Sequence, residues 1–188
     1  MGKTCSFFGH RNVKKTEELK SRVRAAVVEL IENHDVCNFL FGSKSAFDDL
    51  CHEVVTSLQP LYPQIRRKNY PCRSETCALV TEREYWEKLY AELKTKSALR
   101  FFEEEVDHKN KYVSGRAQYV ERNQAMIDDS DYCIFYYDAL YEPEKRKRAA
   151  SDLTEYQPNS GTERILEYAR VKKRNGKLLG IFNVFQEE

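Results

Sequence analysis

Two short apolar segments open this chain, each ended by a glycine and followed by an amphipathic helical pattern. The first runs from Thr4 to His10 and the second from Asn38 to Gly42. Apolar runs of this length and ending are typical of buried strands. Strands that alternate with helices predict an α/β fold, here a Rossmann-like, doubly wound, mainly parallel sheet between two layers of helices, three layers in all.

Polar caps and apolar stripes predict the two helices that follow these strands. Thr16 is the N-cap candidate of the first helix and Ser45 that of the second, which ends before Pro60. Apolar residues at helical spacing face the sheet. In the two helices they are Leu19, Val23, Ala26, Val27 and Leu30, then Phe47, Leu50, Cys51, Val54 and Leu58.

The last third of the chain repeats the alternation. We predict a helix over 115–129, a strand over 132–137, a helix over 160–174 and a last strand over 178–184. Residues 139–159 connect the predicted strand 132–137 to the predicted helix 160–174. They contain two prolines, the charged run Glu144–Arg148 and no hydrophobic periodicity. A loop this long in a domain is usually functional or mobile, so we predict a mobile loop insertion.

The middle of the chain is patterned less clearly. Gln64–Tyr70 predicts a third strand, although it is poorly apolar, and Thr81 with Glu84 forms a capping box that opens a helix. The segment 98–102 fits a fourth strand and equally a continuation of that helix. The pattern leaves this choice open.

The length and net charge of the chain narrow the classes of protein to which it can belong. The chain has 188 residues, which predicts one domain over 1–188. Its 31 basic and 30 acidic residues give a net charge of +1, which argues against broad nucleic-acid binding. There is no apolar run near the ~20 residues of a membrane span and no signal-peptide pattern at the start. We therefore expect a cytoplasmic protein without a membrane partner.

The six cysteines do not have the spacing of a metal site. Cys72 and Cys77 are the closest, and their spacing has no matching second pair. The others fall in or beside apolar segments, where a free cysteine behaves as a small hydrophobe. We predict structural cysteines, no metal, no cofactor and no disulfides in a reducing cytosol.

Glycines and polar residues collect at one edge of the predicted sheet. In open α/β sheets ligands bind beyond the carboxyl ends of the strands, where glycine allows close approach and helix N-termini present N–H groups to anions. The candidate ligand-binding residues at this edge are Gly9, His10, Arg11, Gly42, Ser43, Ser160, Gly161 and Thr162, with Arg122 and Asn123 on the preceding helix and Asp138 after the penultimate strand.

Each signal also has an interpretation without a ligand. Ser160 and Glu163 form a capping box, His10 fits a hydrogen-bonded histidine at a strand end, and Arg122 fits a solvated helix residue. The segment Gly42–Ser45 lacks the upstream glycine spacing of a P-loop, so a Walker-type ATPase is not predicted. The binding interpretation is favoured because several modest signals meet at one edge.

Four segments, in order along the chain, carry a family resemblance. They are Cys5–Arg11; Phe39–Gly42 with Ala46–Asp48; Glu121–Met126 with Ser130 and Asp131; and Ser160–Thr162 with Glu167–Ala169. They resemble the SLOG superfamily, which unites the Smf/DprA and Lonely Guy Rossmann-like proteins, and most of all its YpsA-like branch. The resemblance implies a ligand that is a nucleotide or contains a phosphoribosyl group, and a homodimer.

The Lonely Guy enzymes are phosphoribohydrolases that cut the N-glycosidic bond of cytokinin nucleotides. Their arginine helix is similar to Glu121–Met126, which implies that Arg122 contacts the phosphate or ribose of a ligand. Their catalytic glutamate ends a Pro-Gly-Gly-x-Gly-Thr-x-Glu loop, whereas this chain reads Pro158–Arg164, with Arg164 at that place. Glycosidic cleavage needs a carboxylate, and Asp138 and Glu163 are the remaining catalytic candidates.

Three functions stay open. The leading hypothesis is a cytoplasmic sensor or regulatory domain that binds a nucleotide or nucleotide derivative, with the phosphate at the start of helix 160–174 and paired with Arg122. The second is a nucleotide N-glycosidic hydrolase or ribosyl transferase. The third is a protein-interaction module with a vestigial pocket, in which the basic run Lys145–Arg148 contacts a partner.

Overall fold

The computed structural model describes residues 2–42, 45–72, 100, 102–108, 115–141 and 161–186. Several predictions fall on other parts of the chain and lie outside the described residues. Among them are the helix opened by Thr81 and Glu84, the loop insertion beyond Tyr141 with its basic run, and the site residues Ser43 and Ser160.

Six strands form one sheet in the described part of the chain, and all of their pairings are parallel. The strands are β1 (Lys3–Gly9), β2 (Val36–Phe41), β3 (Arg66–Asn69), β4 (Glu104–Glu105), β5 (Tyr132–Tyr136) and β6 (Gly180–Asn183). The helices are α1 (Glu17–His34), α2 (Ala46–Leu58), α3 (Gly115–Asp128) and α4 (Gly161–Arg174). The order across the sheet is β4-β3-β2-β1-β5-β6.

The strands bury side chains on both faces, which makes the fold three-layered. On β1, Cys5 and Phe7 join the core under α1 and α2, whereas Phe8 joins the core under α3 and α4. This alternation follows from the two-residue period of a strand. The Rossmann-like, three-layer prediction is confirmed. None of the helices in the described segments has the length and apolar character needed to cross a membrane.

The local signals for α1 and α2 are confirmed by their caps. The hydroxyl of Thr16 accepts a hydrogen bond from the N–H of Leu19 at 3.2 Å, and that of Ser45 accepts one from Asp48 at 3.2 Å. Of the ten residues predicted to face the sheet from these helices, nine are buried and Ala26 is partly buried.

The middle of the sheet contains one strand that the sequence did not predict. The third strand is confirmed as β3, and a further strand, β4, lies at Glu104–Glu105. Pairing of Lys68 with Glu104 fixes this position, because the two side chains also form an ion pair at 2.8 Å. The choice between strand and helix at 98–102 falls mostly outside the described residues. Within that segment, Arg100 directs its side chain to α2.

Strand and helix ends in the last third differ from the prediction by one to two residues. Helix α3 ends at Asp128, and β6 covers Gly180–Asn183. Strand β5 stops at Tyr136 because the N–H of Tyr137 donates to the side chain of Asn183 at 3.0 Å instead of continuing the ladder.

The sheet order creates a single switch point. From β1 the chain adds β2, β3 and β4 on one side, then returns to place β5 and β6 on the other. Because all strands are parallel, their carboxyl ends meet at one edge, where α3 and α4 also begin. Ligands of doubly wound sheets bind at this kind of edge, beside the switch point.

Candidate functional site

His10 and Asp138 connect the two strands that flank the switch point. The backbone N–H of Asp138 donates to Nε2 of His10 at 3.0 Å, and the Asp138 carbonyl lies 3.3 Å from the same nitrogen. The shorter contact requires a bare Nε2, so the proton of the neutral ring sits on Nδ1. The end of β1 is thereby tied to the exit of β5.

The imidazole of His10 is buried, and its second nitrogen, Nδ1, has no hydrogen-bond partner among the described residues. Only 2% of the residue is exposed, and burial lowers the pKa of His10 although the backbone and charge of Asp138 oppose this. A buried N–H without an acceptor costs free energy. This donor is therefore suited to an acceptor atom of a ligand.

Aromatic rings surround His10. The ring of Tyr141 stacks on the imidazole with centroids 3.8 Å apart and planes 13° apart, and Tyr136 meets it edge-on at 6.1 Å. Tyr141 reaches this position through a turn in which the Asp138 carboxylate accepts a hydrogen bond from the N–H of Leu140 at 2.8 Å. In the structure the carboxylate of Asp138 thus shapes the turn.

An open hollow of about 640 Å³ lies at the carboxyl ends of β5 and β6. The side-chain amide of Asn183 holds one wall by pairing with both the N–H and the carbonyl of Tyr137, each at 3.0 Å. Since Tyr137 directly precedes Asp138, the hollow adjoins the turn that covers His10. Its lining residues are Tyr137, Ala139, Asn183, Phe185 and Gln186.

Helix α4 begins at the same edge. Gly161 is exposed, and a Cβ added there would meet no described atom within 4 Å. Thr162 is 8% exposed and Glu163 is half-buried. The first N–H groups of a helix and its dipole favour anions. Among the described residues, none fills the space beside Gly161 through which a ligand would approach this helix start.

Arg122 is buried at the ends of β2 and β3. Its Nη1 donates to the carbonyl of Gly42 and to Sγ of Cys72, the latter at 3.3 Å. The side-chain oxygen of Asn123 accepts from Nε and Nη2 at 3.2 Å each. With 3% exposure, Arg122 is not the solvated helix residue of the alternative interpretation. It brings a positive charge to the carboxyl edge from the α3 face.

Comparison with known proteins gives a family. The sequence model of the YpsA family, described as the YspA SLOG family, matches residues 5–166. The chain belongs to this family. Among curated proteins, none matches the sequence. SLOG membership is consistent with binding or processing of nucleotide-related molecules, and it confirms the resemblance carried by the four sequence segments.

Two glycines of this SLOG-family protein, Gly9 and Gly42, have packing roles. A Cβ added to Gly9 would lie 2.4 Å from a ring atom of Phe47, and one added to Gly42 would lie 2.8 Å from the carbonyl of Tyr70 and 3.0 Å from Cδ of Arg122. Helices α2 and α3 thus approach the strand ends too closely for a side chain. A further role of these glycines in ligand contact stays a prediction, and so does that of the exposed Arg11, whose carbonyl accepts from Ala46.

Sequence reasoning missed several residues of this edge. One is the buried Asp48, whose signals were its place in the segment Ala46–Asp48 of the family resemblance and a carboxylate beside the apolar residues Phe47 and Leu50 of α2. Its partner Arg100 and the thiol of Cys72 had no local signal, because their contacts join distant parts of the chain.

Proposed function

We propose that this SLOG-family protein is a cytoplasmic sensor or regulatory domain that binds a nucleotide or nucleotide derivative at the carboxyl edge of its sheet. One observation carries the proposal: Nδ1 of His10 is buried beside the switch point without a hydrogen-bond partner among the described residues, and an open hollow adjoins the turn that covers this ring. Small-molecule sites combine a concave surface with a few well-placed polar groups. Family membership supports a nucleotide-related ligand.

The phosphate of the ligand would lie at the start of α4. Backbone N–H groups of Gly161 and Thr162 would donate to it, as helix N-termini do to anions generally. Arg122 would pair with it from α3, which packs beside α4 on the same face of the sheet. Hydrogen bonds between a guanidinium and a phosphate are among the stronger ones in proteins.

A thermal-shift screen tests the proposal. AMP, ADP-ribose, NAD, cyclic nucleotides and ribose 5-phosphate are each added to the protein, with adenosine as the control that lacks a phosphate. A ligand at 100 times its Kd adds about 2.7 kcal/mol, which raises the Tm of a domain of this size by about 5–10 °C. At least one phosphorylated compound should give this shift, and adenosine should not.

Two results would contradict the proposal. Absence of a shift with every compound would argue for the interaction-module alternative, and equal shifts with AMP and adenosine would remove the phosphate from the account. Release of free base from a compound that binds, lost in Asp138→Asn, would instead support the hydrolase alternative.

A further inference from the structure

Asp48 is a buried carboxyl at the carboxyl edge to which the proposed function assigns no role. It lies in the first turn of α2, with its backbone N–H bonded to Ser45, and its side chain is 1% exposed. Nη2 of Arg100 donates to Oδ2, and Nη1 of Arg100 lies 3.5 Å from Asp49. The Arg100 guanidinium also lies over the ring of Phe41 at 5.7 Å.

The other oxygen of Asp48 is unmet. In the described part of the chain, Oδ1 has no hydrogen-bond partner and no exposed surface. Burial raises the pKa of Asp48 to about 6, although the Arg100 and Arg122 guanidinium groups oppose this shift. The ion pair with Arg100 favours the ionised form of the carboxyl. A buried, ionised oxygen without a donor is costly, and a ligand that supplies an O–H or N–H would relieve that cost.

The position of Asp48 relates it to the nucleotide site. It follows β2 on the α2 face, while Arg122 reaches the carbonyl of Gly42 at the end of the same strand from the α3 face. Strand β2 is the neighbour of β1, which ends just before His10, and adjacent strands lie about 5 Å apart. Asp48 thus follows the strand next to β1, and the charge of Arg122, the proposed partner of the phosphate, acts on its carboxyl. The sugar of a nucleotide lies next to its phosphate, which makes Asp48 a candidate for contact with the sugar.

We propose that Oδ1 of Asp48 accepts a hydrogen bond from a ribose hydroxyl, which makes Asp48 the sugar-recognising residue of the site. This inference rests on the proposed function. Because Arg100 donates to Oδ2, only Oδ1 of the carboxyl remains to accept a hydrogen bond from the ligand. Arg100 is the more exposed member of the pair, 23% against 1%.

Titration calorimetry with matched ribo- and deoxyribonucleotides tests this inference. The probes are AMP, its 2′-deoxy and 3′-deoxy forms, and IMP, at pH 7.5. A hydrogen bond to a charged group corresponds to a preference of about tenfold or more. Wild-type protein should bind AMP at least tenfold more tightly than one of the deoxy forms, a comparison that needs no variant to fold.

Two variants assign the preference to a residue. In Asp48→Asn the amide oxygen stays with Arg100 and the amide nitrogen faces the ligand, so the preference for AMP over the deoxy form should fall to about threefold or less. Asp49→Asn, a change at the adjacent and more exposed carboxylate, should keep the full preference.

The outcomes separate the two proposals. Binding of AMP and both deoxy forms with equal affinity would overturn the role of Asp48 and leave the proposed function standing. A ribose preference that survives in Asp48→Asn would have the same meaning. If Asp48→Asn instead lost the discrimination between AMP and IMP, Asp48 would contact the base and not the sugar. Failure of wild-type protein to bind any compound, in this series or in the thermal-shift screen, would overturn the proposed function and this inference with it.

Discussion

Gly9→Ala should lower the free energy of unfolding by about 3 kcal/mol, the upper end of the usual cost of overpacking. The added Cβ would lie 2.7 Å from the Cβ of Phe47, an atom that side-chain rotation cannot move. Phe47 is fully buried between α2 and the sheet, so relief requires a shift of the helix itself. Thermal and denaturant unfolding followed by circular dichroism measures the loss.

Gly161→Ala is the matched control. A Cβ at this position meets no described atom within 4 Å, and alanine favours a helix over glycine. Its stability should stay within about 0.5 kcal/mol of wild type or rise slightly. If Gly9→Ala unfolded like wild type, the packing explanation of Gly9 would be wrong and close approach of a ligand would be the better reason for glycine there.

Arg122→Ala should cost about 3 kcal/mol of stability, because the change leaves the buried carbonyl of Gly42 without its donor and opens a space beside Cys72. Arg122→Lys should cost less, since it keeps the charge but cannot bond Gly42, Cys72 and Asn123 together. Unfolding curves of the two variants measure this order. A loss below about 0.5 kcal/mol in Arg122→Ala would show that the buried contacts carry little energy.

The same variant should also lose nucleotide binding. At a temperature where Arg122→Ala is folded, the Tm shift given by a phosphorylated ligand should disappear, while Arg170→Ala, a change at an exposed arginine of α4, should keep it. Retention of the full shift in Arg122→Ala would remove Arg122 from the ligand site and leave it a purely structural residue.

The sequence predicts the parts of this fold whose signals are local. Thr16 and Ser45 mark their helices through side-chain caps, and the apolar runs of β1 and β2 fit strands buried on both faces. Strand β4 was not predicted because two residues carry no period, and its pairing depends on Lys68, 36 residues earlier in the chain.

The candidate site, like the fold, was predictable where its signals are local in the sequence. His10 and Asp138 were found because they follow strands that meet at one edge, and the structure joins them. The burial of Arg122 and the pairing of Asp48 with Arg100 could not be read from the sequence, because they connect residues 80 and 52 positions apart. In isolation each of these charges resembles a solvated residue of a helix or loop.

The most direct test of nucleotide binding at the carboxyl edge is an NMR titration of uniformly ¹⁵N-labelled protein with AMP or with a compound selected by the thermal-shift screen. We predict that the amide shifts which change with ligand concentration cluster at 9–11, 137–141 and 161–163, the strand ends and helix start of that edge. Changes confined to the opposite edge, at 2–4, 34–36 and 177–180, or no saturable change at millimolar ligand, would contradict the account.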